Sequence, residues 1–297
     1  RRRPAPGAPL RAPAGRRILR AVAEGVLVDL ARWPVKSLGG EPLAAARLDW
    51  RGLGGDRAHA LLDRRAGREG RWLTVRQAPR MLAWSAAYTD APDDRLDPER
   101  PPPPTLRAPD GTLWAWDDPG LEETLAADLG LAVRRHRDLA GQQDLQSSVL
   151  VTTEASRRAV ADALGRPVEL RRFRTNLHLD LDAPPFAEES WDGGRLQVGE
   201  VTLALAHPCA RCVIPTRDPD DLSRWPELLR WLHRSRGALF GINARVVAGG
   251  RVRVGDRATV TEPATPAPPR PATGWDVAPR GGLGGSSLAP QTNGGAS

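Results

Sequence analysis

The apolar residues of this chain come in short runs cut apart by glycine and proline. There are 30 Gly and 29 Pro in 297 residues. Turn-rich stretches "RGLGGDR" (51–57), "RRAGREG" (64–70) and "DAPDDRLDPERPPPPT" (90–105) separate strand-like runs. Those runs are "GVLVDLARWPV" (25–35), "AHALLD" (58–63), "LAWSAAYT" (82–89) and "TLWAW" (112–116). Short strands punctuated this way favour antiparallel, barrel-like packing over a parallel sheet.

Few segments have helical grammar. "LEETLAADLG" (121–130) places Leu121, Leu125 and Leu129 on one face, with acids in the first turn and Gly130 as the stop. The spacing predicts a helix over 120–129. A second is expected over 152–165, opening on Thr-Glu and stopping at Gly165, and a short one over Leu222–His233. Strands are expected over 176–181, 195–207 and 243–260, the last as a hairpin around Gly249-Gly250. The fold class is therefore mainly β with a few helices (α+β), in two β-rich units over 20–135 and 140–262. The Pro/Ala/Arg-rich arm 1–18 and the Pro/Gly/Ser-rich tail 263–297 hold too little apolar area to order themselves.

Net charge is +7, yet no basic stripe, recognition-helix pattern or evenly spaced aromatic row accompanies it, which argues against nucleic acid. The tryptophans, Trp191 among them, read as core and strand-face packing. No apolar run reaches the roughly 18 residues a bilayer span needs. The basic N-terminus lacks the apolar core of a signal peptide, and the chain starts with Arg, so its true start is expected upstream. Two cysteines are too few for a disulfide scaffold, which makes a reduced, cytoplasmic setting the expectation.

Two features ask for chemistry. Lys36, in "WPVKSLGGEPL" (33–43), is the only lysine; all other cations of the 43 Lys and Arg are arginine. A compact ammonium on a flexible stem suits a tight phosphate pocket better than a wide guanidinium fork, and Ser37 adds a hydroxyl. Cys209 and Cys212 fall three apart in "LAHPCARCVIPTRDPDD" (205–221). Structural zinc lacks a second CxxC. A dithiol redox site lacks the helix that should follow, because Pro215 interrupts it. Two buried inert thiols, or one thiolate ligand for a soft metal beside Arg211, are equally compatible with the spacing.

The segments "WPVKSLGGEPL" and "RLDWRGLGGDRAHALLD", then "RRFRTNLHLD", "PFAEESWDGGRLQVGEVTLALAHPCARCVIPTRDPD" and "LFGINARVVAGGRVRVGD", occur in that order. Together they resemble the MOSC family, with its N-terminal β-barrel unit packed on a β-barrel MOSC domain. The likeness runs over about residues 22–262. It implies molybdenum cofactor, a molybdopterin with one phosphate, and Cys212 as the metal ligand. It also implies that Lys36, Ser37, Arg174, Asn176 and Arg211 hold the pterin and its phosphate, while Arg57 carries over less directly, an ion pair with Asp56 or Asp63 being its other role. The family often has Pro where Thr175 stands here. Arg171 and Arg172 read as a solvated strand end.

Thr153 and Glu154 open a helix, which suits either an anion or a cap. Asp218 is a candidate proton relay or an Asp-Pro turn. Asn243 is a candidate pocket residue. The implied activity is reduction of N-hydroxylated (N–O) substrates by a molybdenum-dependent oxidoreductase, with a separate ferredoxin-like or flavin partner as electron donor. The alternative is a non-catalytic carrier of cofactor or sulfur, with a persulfide on Cys212 that Cys209 resolves. Either way, Cys212 and Lys36 should border one cleft.

Overall fold

In the computed structural model, residues 21–89, 96–137 and 148–262 are described. The expected arm over 1–18 and tail over 263–297 lie outside them. The first half carries strands β1 (Ala21–Arg32), β2 (Glu41–Pro42), β3 (Ala45–Asp49), β4 (Gly52–Leu53), β5 (His59–Asp63), β6 (Ser85–Ala87), β7 (Thr105–Arg107) and β8 (Leu113–Ala115), then helix α1 (Leu121–Leu129) and β9 (Val133–Arg137). The second half runs β10 (Val149–Thr153), α2 (Glu154–Leu164), β11 (Leu177–Leu181), β12 (Arg195–Val198), β13 (Val201–Ala210), α3 (Pro226–Arg236), β14 (Leu239–Ala248), β15 (Gly250–Arg253) and β16 (Arg257–Thr261).

Seven strands close into a barrel in the order β11-β10-β14-β13-β12-β16-β1, with β1 returning to β11. Closure removes the unpaired edges that would otherwise template aggregation. Most ladders are antiparallel, but β10 and β11 run parallel, and α2 is the crossover that such a pair requires. Along β1 Ala23, Leu27 and Leu30 are buried, with Arg32 at its end, and the alternation breaks between Leu27 and Leu30. A bulge between Leu27 and Asp29 shifts the register there and re-aims the side chains that follow. Leu177, Leu179, Leu196, Leu203 and Ile242 fill the interior with them.

A second core, drawn from Val35, Leu61, Leu73, Met81, Trp84 and Leu106, lies under α1 and the β5–β9 pair. A third joins Val160 of α2 to Leu228 and Leu232 of α3, around the stacked rings of Phe173 and Phe240, 3.9 Å between centroids. All described residues belong to one compact unit. No described helix is long and apolar enough to cross a membrane.

The hairpin expected around Gly249-Gly250 does not form. β15 pairs with β3, not with β14. A tight two-residue hairpin turn of the favoured type needs positive φ, and neither glycine has it. Both instead permit close approach: a Cβ on Gly249 would lie 2.6 Å from Leu48 O, and one on Gly250 2.7 Å from Glu200 Cβ. The expected run 195–207 splits at Gly199-Glu200 into β12 and β13, paired Val198 to Val201. The third helix starts at Pro226, the position where a proline's missing N–H costs nothing. Of the tryptophans, Trp33, Trp84, Trp116, Trp191 and Trp225 are buried as expected, but Trp50 and Trp72 are exposed.

Candidate functional site

Three segments meet where the chain leaves β1: residues 33–40, the turn at 54–57, and residues 170–176 ahead of β11. Asp56, fully buried, ties two of them. Its Oδ1 accepts the Trp33 backbone N–H at 2.6 Å, and its carboxylate pairs with the Arg57 guanidinium. Arg57 N–H donates to Trp33 O at 2.7 Å. Its side chain reaches Asn176 Oδ1 at 3.4 Å and Arg174 O at 3.3 Å. The Trp33 indole N–H donates to Thr175 O at 3.1 Å.

Arg174 lies at the centre. It is buried, with its guanidinium 4.4 Å over the Trp33 ring and Nη1 donating to Leu38 O. Its Nη2 has no hydrogen-bond partner. Burial pushes its pKa down to about 9, aided by the positive charges of Arg57 and Arg211, while Asp56 and Cys212 pull it upward. The Cys212 sulfur, half-buried, is thus within electrostatic reach of Arg174. A desolvated guanidinium with a spare N–H, among other cations, is a place that favours an anion.

The backbone here is unusual. Ser37, Arg57 and Arg174 have φ of 70°, 51° and 57°. Left-handed non-glycine residues cost about 1–2 kcal/mol each and cluster where a site over-determines them. Ser37 is buried. Lys36 donates its backbone N–H to His59 O at 2.8 Å and holds Nζ 5.7 Å from the Trp72 ring centroid. Two residues on, Leu38 O receives Arg174. Leu38 O thus touches the Arg174 guanidinium, and the Cys212 sulfur acts on it through charge.

Arg211 is placed between the thiols and the Phe173 ring. Its Nη1 is 3.0 Å from Cys209 Sγ, its Nη2 donates to Phe173 O at 2.7 Å, and its Nε is buried without a partner. The guanidinium thus contacts Cys209, the sulfur that the family resemblance leaves without a role. Both cysteines are free thiols. A 3₁₀ turn, Ile214–Thr216, follows Cys212 in place of a longer helix. Among the described residues, no cluster of three or more His, Cys, Asp or Glu could cage a metal. A metal held at Cys212 would draw its other ligands from outside the protein.

The remaining candidates are spread out. Asn176 stitches the barrel wall: Oδ1 accepts Leu150 N–H at 3.1 Å and Nδ2 donates to Ala31 O at 3.2 Å. Thr153 caps α2 through Ser156 N–H at 3.3 Å and donates to Glu188 Oε2 at 3.1 Å. Glu154 pairs with Arg157, Arg158 and His178. Asp218 accepts Asp220 N–H at 3.0 Å on Oδ1 and pairs through Oδ2 with Arg172. Arg172 is buried, against the expectation of a solvated strand end, because Asp218, Pro215 O and the Trp225 ring enclose it. Asn243 Nδ2 lies 3.3 Å from His207 Nδ1, across the β13–β14 pair. Asp56, named from the sequence only as a partner for Arg57, does pair with it; Trp33, which also organises the site, was not singled out.

Residues 135–259 match the MOSC domain and residues 24–109 the MOSC N-terminal beta barrel domain. Mitochondrial amidoxime-reducing component 1 of Homo sapiens is 30% identical, over 69% of this chain and 69% of that protein. Its Xenopus laevis counterpart is 27% identical over 78% and 81%. A solved structure, the YUAD protein from Bacillus subtilis, overlays with a TM-score of 0.45 at 13% identity, covering 82% of this chain and 99% of that one. With both regions matched in sequence order, and relatives that share most of its length, the chain belongs to the MOSC family.

Proposed function

We propose that this protein binds a molybdenum–pterin cofactor and reduces N-hydroxylated (N–O) substrates, with electrons from a separate protein. The observation that supports this most is the orphaned N–H of buried Arg174, within electrostatic reach of Cys212. The residues present fit the group: a phosphate would occupy the spare donors of Arg174 and Arg211, and a thiolate suits a soft metal. The relatives' names, amidoxime-reducing components, point to the N–O substrate class.

In this reading Lys36, Ser37 and Arg174 hold the phosphate and Cys212 ligates the metal. Arg57 and Asn176 act on Arg174 and its loop, because their side chains are spent on Asp56 and on backbone groups. Arg211 steadies the cysteine loop against Phe173 O. Trp33 shields one face of Arg174 from water, which strengthens each charge interaction there. When bound, the cofactor supplies oxygen-atom transfer that no side chain can perform. Asp218, held by Arg172 and loop amides, is the candidate for moving protons at its Oδ1. Asn243 is assigned to the pocket's outer contacts, whereas Thr153, buried with its hydroxyl on Ser156 and Glu188, serves the fold.

The test is the molybdenum and pterin content of protein from a host that makes the cofactor. Wild type should carry both, and Cys212→Ala should lose bound molybdenum and activity. Unchanged metal and activity in that variant would falsify the assignment.

A further inference from the structure

Beside the cysteine loop lies a groove of about 540 Å³ between the Val213–Thr216 turn and α3. Its charge is one-signed: Arg217, Arg224, Arg230 and Arg234 line it with His233, and no acid does. Three of the four nearby acids are committed outside the groove. Asp218 pairs with Arg172, and Asp220 with Arg171. Asp221 takes Ser223 N–H at 2.8 Å, and Glu227 pairs with Arg230 at 3.0 Å. Arg217 and Arg224 face each other across an isolated bridge. Another cavity, about 460 Å³, contrasts: it mixes Asp29, Glu41 and Glu169 with Arg157 and Arg171. Four guanidiniums held together with one paired acid, Glu227 on Arg230, favour an anionic visitor.

The floor of the groove is apolar. Val213, next in sequence to Cys212, is 46% exposed, and Pro226 and Leu229 continue the patch. An apolar centre within a charged rim, covalently adjacent to the metal-ligand candidate, suits a partner that docks briefly to exchange electrons. Such interfaces are small and rely on charge to set encounter rate and orientation.

We propose that this arginine-rimmed groove is the docking surface for an acidic one-electron carrier protein. The inference rests on the proposed reductase function and adds where the donor binds and what charge it carries. The balance requires it: breaking an N–OH bond to give N–H and water consumes two electrons and two protons. Two reduced carriers, docking in turn, supply the electrons, and solvent supplies the protons.

The test uses cofactor-loaded protein, benzamidoxime as substrate and two donors. One is an acidic two-iron ferredoxin kept reduced; the other is reduced methyl viologen, a small cation that needs no docking surface. The triple variant Arg224→Glu, Arg230→Glu, Arg234→Glu should raise the KM for ferredoxin about tenfold or more at low salt. Its viologen-driven rate should match wild type. Reversing Arg107 and Arg195, which lie outside the groove, should change neither. Arg→Gln replacements at the three groove positions provide a milder series should the reversals unfold the chain.

Unchanged ferredoxin kinetics in a viologen-active variant would overturn the proposal and leave the reductase reading standing. Wild type that is loaded with molybdenum but inactive with viologen would overturn the reductase reading. Calorimetric titration of ferredoxin onto the same samples then decides the docking surface by itself: an affinity loss of about tenfold in the variant supports it, and equal affinity sinks it. Tighter binding of a single-stranded oligonucleotide than of ferredoxin, lost in the same variant, would also overturn it.

Discussion

Burying a guanidinium where Arg57 and Arg211 also gather has a cost that an anion relieves. The pKa of Arg174 falls to about 9, from burial first and then its cationic neighbours. Below pH 9 the group is charged in both folded and unfolded chains, so the penalty stands in full at neutrality. Between pH 9 and its ordinary range only the unfolded chain keeps the proton, and stability rises with pH there. Inorganic phosphate at pH 7 should therefore raise the Tm of cofactor-free wild type and leave Arg174→Met unmoved. In phosphate-free buffer Arg174→Met should be the more stable by about 1–3 kcal/mol; a lower Tm in that buffer counts against an anion hole. His59 gives a second test, with the same sign of linkage at lower pH. Buried between the Tyr88 and Trp116 rings, it is held down to about 3 by desolvation and then Arg137. The unfolded chain takes up a proton below about pH 6.5 that the folded chain refuses until about pH 3. Stability should fall through that window by up to about 1.4 kcal/mol per pH unit. His59→Phe should flatten this slope in acid-dependent denaturant titrations. Lys36 and Cys212 stand out in the sequence by rarity and spacing, and the Arg57–Asp56 pair is readable there too, whereas the Asp56 bond to the Trp33 N–H appears only on folding.

At the scale of elements, the helices were the more legible. α1 and α2 begin and stop within two residues of their sequence signals, because acids at the start and left-handed Gly130 and Gly165 at the end are local devices. β10 was hidden: five residues, Val149–Thr153, run straight into α2, and the helical pattern absorbed its last two. Thr153 is the hinge between them. Its hydroxyl caps α2 and shares Glu188 Oε2 with Ser156 Oγ, 2.8 Å away. Burial raises the Glu188 pKa despite those two donors. Thr153→Val keeps the strand shape but removes the cap and one carboxyl partner. It should cost about 1–3 kcal/mol in urea denaturation; a change below about 0.5 kcal/mol would mean another group replaces the hydroxyl.

At the scale of the molecule, the barrel is closed by the strand farthest from it in sequence. β1 bonds both β11 and β16, through Leu27 to Leu179 on one side and Glu24 to Thr259 on the other. Residues 135–259 match the MOSC domain, yet on their own they leave β11 and β16 as open edges. A fragment of residues 135–262 should therefore aggregate or stay molten, while 21–262 should unfold in a single cooperative transition. Sharp, dispersed amide spectra from the shorter fragment would contradict that. Leu27→Ala, at a fully buried position on the closing strand, should cost about 2–5 kcal/mol.

By itself the sequence determined the class of fold, the ends of α1 and α2 but not of α3, the family and the residues that stand apart, Lys36 and Cys212. Those follow from local rules: turn residues, periodicity, motif order and the rarity of one residue type. Only the tertiary structure decided that β15 leaves β14 for β3, that Arg172 is enclosed, that Arg211 turns to Cys209, and that Arg174 keeps an unpaired N–H within electrostatic reach of Cys212. Each of these depends on which distant segments share space, and burial and charge coupling exist only once they do.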